Sequence, residues 1–319
     1  MLTLFAIPKP FTGHIGIIQR NAIKSWTLLR PQCEIMLFGD EEGTEDVARE
    51  FGLRHVSQIA RNELGTPLLN DMFDTAQHLA SHRLLCFVNA DIMLMSAFLQ
   101  AVEQVCRWRE SFLMIGRRSD VRIRQAWNFA RHDWEQELQR YVKEYGKLRG
   151  DHNVDYFVFP KGFYDHVPPF AIGRPFYDSW LISKAISSRH PIVDATDVVM
   201  AAHQNHDHAH FGIQGEVYSL REAHGLAEGK GNYELLGGEL RRFGASDTSH
   251  ILTESGECRQ KHRLWRFVIV KKRLKLKLRH EFMERTRLVR HRLGLTEPNL
   301  HRLKKTFAFA LSKANLRAK

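Results

Sequence analysis

The tripeptide Asn89-Ala90-Asp91 closes an apolar run, Leu84-Leu85-Cys86-Phe87-Val88, and precedes Ile92-Met93-Leu94. A short continuous apolar run reads as a strand buried on both faces. A carboxylate and an amide at its end need partners, because burying them alone is costly. In an open α/β sheet, ligands sit at the carboxyl ends of the strands. A carboxylate there can hold a divalent cation and, through it, a diphosphate. A plain strand-end turn is the commoner explanation of such a tripeptide alone, so its neighbours decide.

Other polar loops fall at or near expected strand ends. Pro8-Lys9-Pro10-Phe11 follows the first strand, Gly39-Asp40-Glu41 the second, the Arg61-Asn62-Glu63 loop the third, and Arg117-Arg118-Ser119-Asp120 the fifth. Asp40 has the chemistry to accept a hydrogen bond from a ribose or base. Lys9, Arg61, Arg117 and Arg118 are candidates for phosphate, whose oxygens match guanidinium forks. Each arginine alone is also explained as a solvated surface charge.

Two further clusters carry chemistry. His203-Gln204-Asn205-His206-Asp207-His208-Ala209-His210 follows the apolar run Val198 to Ala202. Imidazole is a common metal ligand near neutral pH. One of these histidines can complete a site begun by Asp91, with Mg2+ or Mn2+ suiting carboxylate, imidazole and phosphate oxygens together. An adventitious histidine-rich loop is the bland alternative. In Gly173-Arg174-Pro175-Phe176-Tyr177-Asp178-Ser179-Trp180, Asp178 opens a helix, where the dipole favours a carboxylate. Beside an aromatic able to stack on a sugar, it suits a general base acting on a hydroxyl, or it is simply a cap. Asp155 and Asp194, each beside a strand signal, have weaker claims of the same kind.

These groups need a frame. Leu2–Ile7, Glu34–Phe38, Leu53–Val56, Leu84–Val88 and Phe112–Ile115 read as strands. Between them, three- and four-residue apolar spacing predicts helices over 15–29, 45–51, 68–80 and 97–108, with Gly52 ending the second. The alternation implies a mainly parallel, doubly wound sheet. Further on, helical spacing runs from Trp127 to Leu148, Tyr156–Phe159 reads as a strand, Trp180–Ile186 as a helix, and Ile192-Val193 as a short strand. Residues 225–250, rich in Gly and Ser, read as loop.

The chain of 319 residues carries a net charge of +11, but residues 258–319 alone hold 20 Lys/Arg and 3 Asp/Glu. The remainder is a mildly acidic body. The tail's apolar thread, from Phe267 to Leu293, fits one helical face, although Arg273–Arg279 also fits strict alternation. A basic amphipathic helix suits an anionic membrane surface. No stacking platform or reading motif accompanies the charge, which argues against nucleic acid. Met1–Ile7 lacks the charged start of a signal peptide and meets Pro8 too soon. No apolar stretch is long enough to span a bilayer. Four scattered cysteines show no metal spacing, so Cys33, Cys86 and Cys106 are expected as buried reduced thiols in a cytoplasmic setting. A Gly-x-Gly-x-x-Gly loop, a Walker loop and a nucleophile elbow are all missing.

Over about residues 1–215 the chain resembles glycosyltransferases of the GT-A fold, in particular nucleotide-diphospho-sugar transferase-like proteins of bacteria and plants. The resemblance rests on Phe38-Gly39-Asp40, Arg61-Asn62-Glu63, Val88-Asn89-Ala90-Asp91, Asp155–Pro160, Pro169–Arg174 and His203–Asp207. It implies a three-layer α/β/α sandwich with a mainly parallel sheet and a basic helical C-terminal tail. The implied domain spans 1–250, with a nucleotide-sugar half to 115 and an acceptor half from 116, before an extension over 251–319. It implies a metal site from Asp91 with His203 or His206, and Asp178 as the base of an inverting member. It implies a substrate-binding set of Pro8, Lys9, Asp40, Arg61, Asn62, Asn89, Arg117, Arg118, Asp155, Gly173, Arg174 and Trp180. Asn89 stands where the family's motif has its first Asp, so one negative charge is missing. The implied partners are a nucleotide-diphosphate sugar and a glycan or lipid-linked acceptor, in cell-surface polysaccharide or glycolipid synthesis. A nucleotidyltransferase and a degenerate transferase acting as a binding module are the competing classes.

Overall fold

The computed structural model describes residues 2–206, 227–237 and 242–261. The first half follows the alternation. Strand β1 (Leu2–Ala6) leads to helix α1 (Gly13–Thr27), β2 (Glu34–Phe38), α2 (Thr44–Phe51), β3 (Arg54–Val56), α3 (Leu69–Leu79) and β4 (Leu84–Val88). Gly52 ends α2 in the left-handed region, φ 66°, where glycine carries no Cβ penalty. After β4 come β5 (Ile92–Met93), α4 (Ser96–Trp108), β6 (Leu113–Val121), α5 (Trp134–Tyr145), β7 (Lys147–Leu148) and β8 (Val154–Pro160). Then follow α6 (Tyr177–Ser187), β9 (Ile192–Asp194), β10 (Ala201–Gln204), α7 (Ala227–Leu235), β11 (His250–Leu252) and β12 (Cys258–Gln260).

The main sheet has the order β12-β11-β9-β6-β8-β4-β1-β2-β3. Strands β1 to β4 pair in parallel, and β6, β9 and β11 pair in parallel with one another. Strand β8 runs antiparallel between β4 and β6, so these two share a direction. Helices cover both faces. Trp26 of α1, Val47 of α2 and Phe98 of α4 share one core with Leu4 and Cys86. On the other face Phe5 packs on Phe73 of α3, and Phe170 on Trp180 of α6. The expected α/β/α layering with a mainly parallel sheet is therefore present.

Four details differ from the sequence reading. The fifth strand does not stop at Ile115: β6 continues through Arg117-Arg118-Ser119-Asp120. Its outer half leaves the main sheet and pairs β10 and β7. The turn is made at Gly116, where an added Cβ would stand 2.1 Å from the Tyr156 hydroxyl. The helix around 134–145 is shorter than the spacing that runs from Trp127 to Leu148, because Leu148 belongs to β7. Residues 225–250 are not simply loop. Helix α7 forms despite Gly229 and Gly231, which cost about 1 kcal/mol each against alanine. Tertiary contact offsets them: buried Asn232 accepts from the Ala171 N–H (2.9 Å) and donates to the Ala171 and Pro175 carbonyls (3.0 Å each).

Residues 250–260, part of which was expected in the extension, form the last two strands of the sheet. Residues 262–319, with most of the basic tail, lie outside the described residues, as do His208 and His210. All four cysteines are free; Cys33 and Cys86 are buried, whereas Cys106 is only partly so.

Candidate functional site

The order of strands reverses between β1 and β4, and their carboxyl ends open into a cavity of about 800 Å3. Asp91 stands in the turn between β4 and β5, which the Ile92 N–H closes on the Asn89 carbonyl (3.1 Å). Its neighbours are fixed by backbone register. In the antiparallel β5–β10 pair His203 lies opposite Ile92, and in the parallel β6–β10 pair it lies opposite Asp120. Strand β10 thus carries His203 between two carboxylates. Its Nε2 is 3.5 Å from Asp91 Oδ2 and its Nδ1 is 3.2 Å from Asp120 Oδ1. His206, just past β10, brings Nε2 to 3.1 Å from the same Asp91 oxygen.

The three expected metal residues therefore meet. Asp91, His203 and His206 each offer a ligand atom, and these atoms lie within 4.8 Å of one another. Neighbouring ligands on an ion with bonds of about 2.1 Å stand about 3 Å apart. The other Asp91 oxygen, Oδ1, is buried with no hydrogen-bond partner. An orphaned carboxylate oxygen is costly, and a cation is the partner that chemistry supplies. The residues fit a divalent ion. Two imidazoles suit Mn2+ better than Mg2+, which prefers oxygen alone.

Electrostatics agree with the geometry. Burial opposes the Asp91 charge, but His203 and His206 outweigh it and hold its carboxyl well below the usual range. Burial and Arg118 oppose charge on His203, yet Asp91 and Asp120 raise its imidazole to about 9.

Behind the metal residues runs a polar network. Arg118 donates to Asp120 (2.8 Å) and Asp155 (2.9 Å). Asn89 Nδ2 donates to the other Asp155 oxygen at 2.6 Å. Burial disfavours the Arg118 charge, but Asp155 and Asp120 more than restore it and raise its pKa. Asn89, Arg118 and Asp155 border the cavity as expected, but they are engaged with one another. Asn89 in place of an acid has a local reason: it faces Asp155, where a second carboxylate would repel it.

The remaining expected residues divide. Pro8, Lys9, Arg61, Gly173, Arg174 and Asp178 border the cavity. Gln19, which sequence reading missed, pins the Lys9 backbone from both sides (2.6 and 2.8 Å). Arg61 donates to Asp40 (2.6 Å) and Glu41 (2.9 Å), and Glu41 rather than Asp40 borders the cavity. Asn62 turns away and holds its own loop and Glu228 of α7, which also takes Arg174 at 2.7 Å. Asp178 accepts the Ser179 N–H and pairs with Arg242 at 3.2 Å.

Arg117 and Trp180 are corrections. Successive residues of a strand point to opposite faces, so Arg118 in the cavity places Arg117 behind it. Residues two apart on a helix are about 200° apart, so Asp178 and Trp180 cannot face one site. Trp180 is buried against Phe170 and Tyr164. Tyr177, one turn from Trp180's buried position, borders the cavity instead, as do Phe87 and Tyr145. Glu228 and Arg242 were missed because nothing in their local sequence marks them; Arg242 reaches the cavity wall beside Asp178, and Glu228 braces Arg174 from behind it.

The fold and site together define an α/β sandwich with a carboxylate–imidazole cluster able to hold a metal ion, set in a cleft at its switch point. No protein-family model matches the chain, and no curated protein matches it. Among solved structures it is similar to the mannosyltransferase PcManGT from Pyrobaculum calidifontis, in complex with GDP-Man and Mn2+. The identity is 13% over 76% of this chain, with a TM-score of 0.44, and the match spans 65% of the length of that protein. It is also similar to S. aureus TarS 1-349 in complex with UDP-GlcNAc (13% identity, 74% of this chain, 70% of that one, TM-score 0.45). A third is glucosyl-3-phosphoglycerate synthase from Mycobacterium tuberculosis with Mg2+ and UDP (14% identity, 66% and 74%, TM-score 0.40).

Proposed function

We propose that the chain is a metal-dependent glycosyltransferase that moves a sugar from a nucleotide-diphosphate sugar to a hydroxyl acceptor. The observation that carries this is the Asp91–His203–His206 cluster around an orphaned carboxylate oxygen, set in a cleft large enough for a nucleotide sugar. In this reading Asp91, His203 and His206 hold Mn2+, which when bound neutralises charge on the diphosphate. Lys9 and the end of β1 flank the diphosphate. Glu41, held by Arg61, faces the nucleoside. Asp178 lies in the same cleft and takes the acceptor proton as the acceptor oxygen bonds to the anomeric carbon. The bond from that carbon to the diphosphate breaks, and its electron pair leaves with the diphosphate. For Asp178 to act, Arg242 must yield one carboxylate oxygen to the acceptor.

Isothermal titration tests the reading. Mn2+ together with UDP or GDP should give binding heat in the wild type, and His206→Gln should lose the metal-dependent part. Nucleotide binding of equal strength with and without Mn2+ would remove the metal from the scheme. Convergence of the three ligands favours an active site over a degenerate binding module, and the competing nucleotidyltransferase lacks its Gly-rich loop after β1.

We extend the proposal to the acceptor's setting. The basic balance of residues 258–319 supports contact with an anionic membrane surface and a lipid-linked acceptor in cell-surface glycan synthesis. No helix among the described residues is long and apolar enough to cross a membrane. Pelleting with anionic vesicles should recover the full chain and leave a chain ending at residue 261 in the supernatant.

A further inference from the structure

Beside the cleft lies a second concavity, of about 620 Å3, and Tyr145 borders both. Its walls are the loop after β6, residues 122–128, and one face of α5. Three aromatic rings line it in sequence. Trp127 and Tyr141 have centroids 5.6 Å apart, and Tyr141 and Tyr145 are 4.9 Å apart. Tyr145, nearest the cleft, is 62% exposed. An aromatic side chain left this open, at the mouth of a cavity, is available for contact. Arg124, Gln125 and Asn128 supply polar groups beside the rings.

The Trp127 end of the row is tied to the strand that carries His203. Asn21 accepts the Trp127 backbone N–H (2.8 Å) and donates to the Gln125 carbonyl (3.1 Å) and to Gln204 (2.9 Å). Gln204, on the strand that carries His203, donates to the Asp91 carbonyl at 3.2 Å. Tyr141 donates its hydroxyl to the Arg122 carbonyl at 2.9 Å, which fixes its ring and leaves the oxygen free to accept. The Trp127 indole N–H is buried without a hydrogen-bond partner.

Flat apolar faces with donors and acceptors around their edges fit a ligand of the same character. A pyranose ring is one, with C–H groups on its faces and hydroxyls around its rim. We infer that this groove is the acceptor subsite and takes a saccharide, which stacks on the exposed Tyr145 and packs along the wall formed with Tyr141 and Trp127. The saccharide presents its reacting hydroxyl to the cleft past Tyr145. This rests on the glycosyltransferase reading above, since the groove leads into the cleft assigned there to the donor. A nucleobase stacks on such rings too, but the cleft already provides the nucleotide's place.

The test uses the full-length chain, with Mn2+ and UDP or GDP bound. Saturation-transfer NMR is run with four tetrasaccharide probes, built from glucose, mannose, galactose or N-acetylglucosamine, and with a short oligothymidylate. At least one tetrasaccharide should receive saturation. Tyr145→Ala should weaken it roughly three- to ten-fold, as expected for loss of one stacking aromatic. Trp127→Phe, which keeps the ring and removes the indole N–H, should weaken it less. Calorimetry of Mn2+ and nucleotide should be the same in Tyr145→Ala as in the wild type. Nucleotide binding without any saccharide binding overturns the subsite and leaves the glycosyltransferase reading standing. Saccharide binding unchanged in both variants overturns it as well. Oligothymidylate binding that is lost in Tyr145→Ala would reassign the groove to nucleic acid. Absence of Mn2+-dependent nucleotide binding defeats the underlying reading instead.

Discussion

Replacing Asp120 by Asn isolates what orients the metal residues. Asp120 ligates nothing in the proposed site, yet its Oδ1 lies 3.2 Å from His203 Nδ1. An ionised carboxylate can only accept, so it favours the Nδ1–H tautomer, which leaves the Nε2 lone pair for a cation beside Asp91. An amide of the same size can present its NH2 instead and stabilise the wrong tautomer. It also removes the charge that holds Arg118 at 2.8 Å and Arg149 at 3.2 Å. Loss of such a partner costs ~10–100-fold in metal affinity, or about 1.4–2.8 kcal/mol. Calorimetric titration of Mn2+ into Asp120→Asn should show a Kd weakened by that factor. Asp165→Asn, at an exposed pair with Lys184, serves as the control and should bind Mn2+ normally. Wild-type Mn2+ affinity in a folded Asp120→Asn would show that His203 needs no carboxylate behind it, and the argument from strand register would fail.

Metal affinity should depend on pH, because His203 keeps its proton up to about 9 in the metal-free protein and must lose it to ligate. Mn2+ binding should tighten by about tenfold per pH unit toward that value, and a flat profile in calorimetry would exclude His203 as a ligand. The same raised pKa adds stability to the metal-free fold, complete below the ordinary 6.5 and lost as pH rises through about 9; thermal melts across that window should record it. Gly116→Ala should destabilise by about 1–3 kcal/mol through overpacking, since its Cβ meets the Tyr156 hydroxyl. Tyr156→Phe should relieve part of that in a urea-denaturation double-mutant cycle, and strict additivity would contradict the clash. Asn232→Ala strips three hydrogen bonds from the α7 dock, so amide exchange over 227–237 should accelerate well ahead of exchange in β1 or β4.

The frame was legible wherever one face or both faces of an element were uniformly apolar. Strands β2 and β4 and helices α2 and α4 match their sequence patterns to within a residue. Asp91, His203 and His206 were legible as types of ligand, but their meeting depends on the β5–β10–β6 register, which no local pattern encodes. The second half of β6 was hidden because its own residues Arg117-Arg118-Ser119-Asp120 are polar, matched after it leaves the main sheet by partners such as Asp155 and His203. Arg117 and Trp180 were misplaced by counting residue types near the site without asking which way each points. Helix α7 was read as loop because its composition opposes a helix, and the contacts of Asn232 that overrule this lie some sixty residues back in the chain.

The placement of β10 bears on when the site comes into being during synthesis. Asp91 and His206 stand 115 residues apart, and the strand that joins them also closes the smaller sheet by pairing β5 and β6 at once. A ribosome-bound fragment that ends before β10 carries Asp91, Asp120 and Asp155 but neither histidine, so the Asp91–His203–His206 cluster can assemble only once β10 has been made.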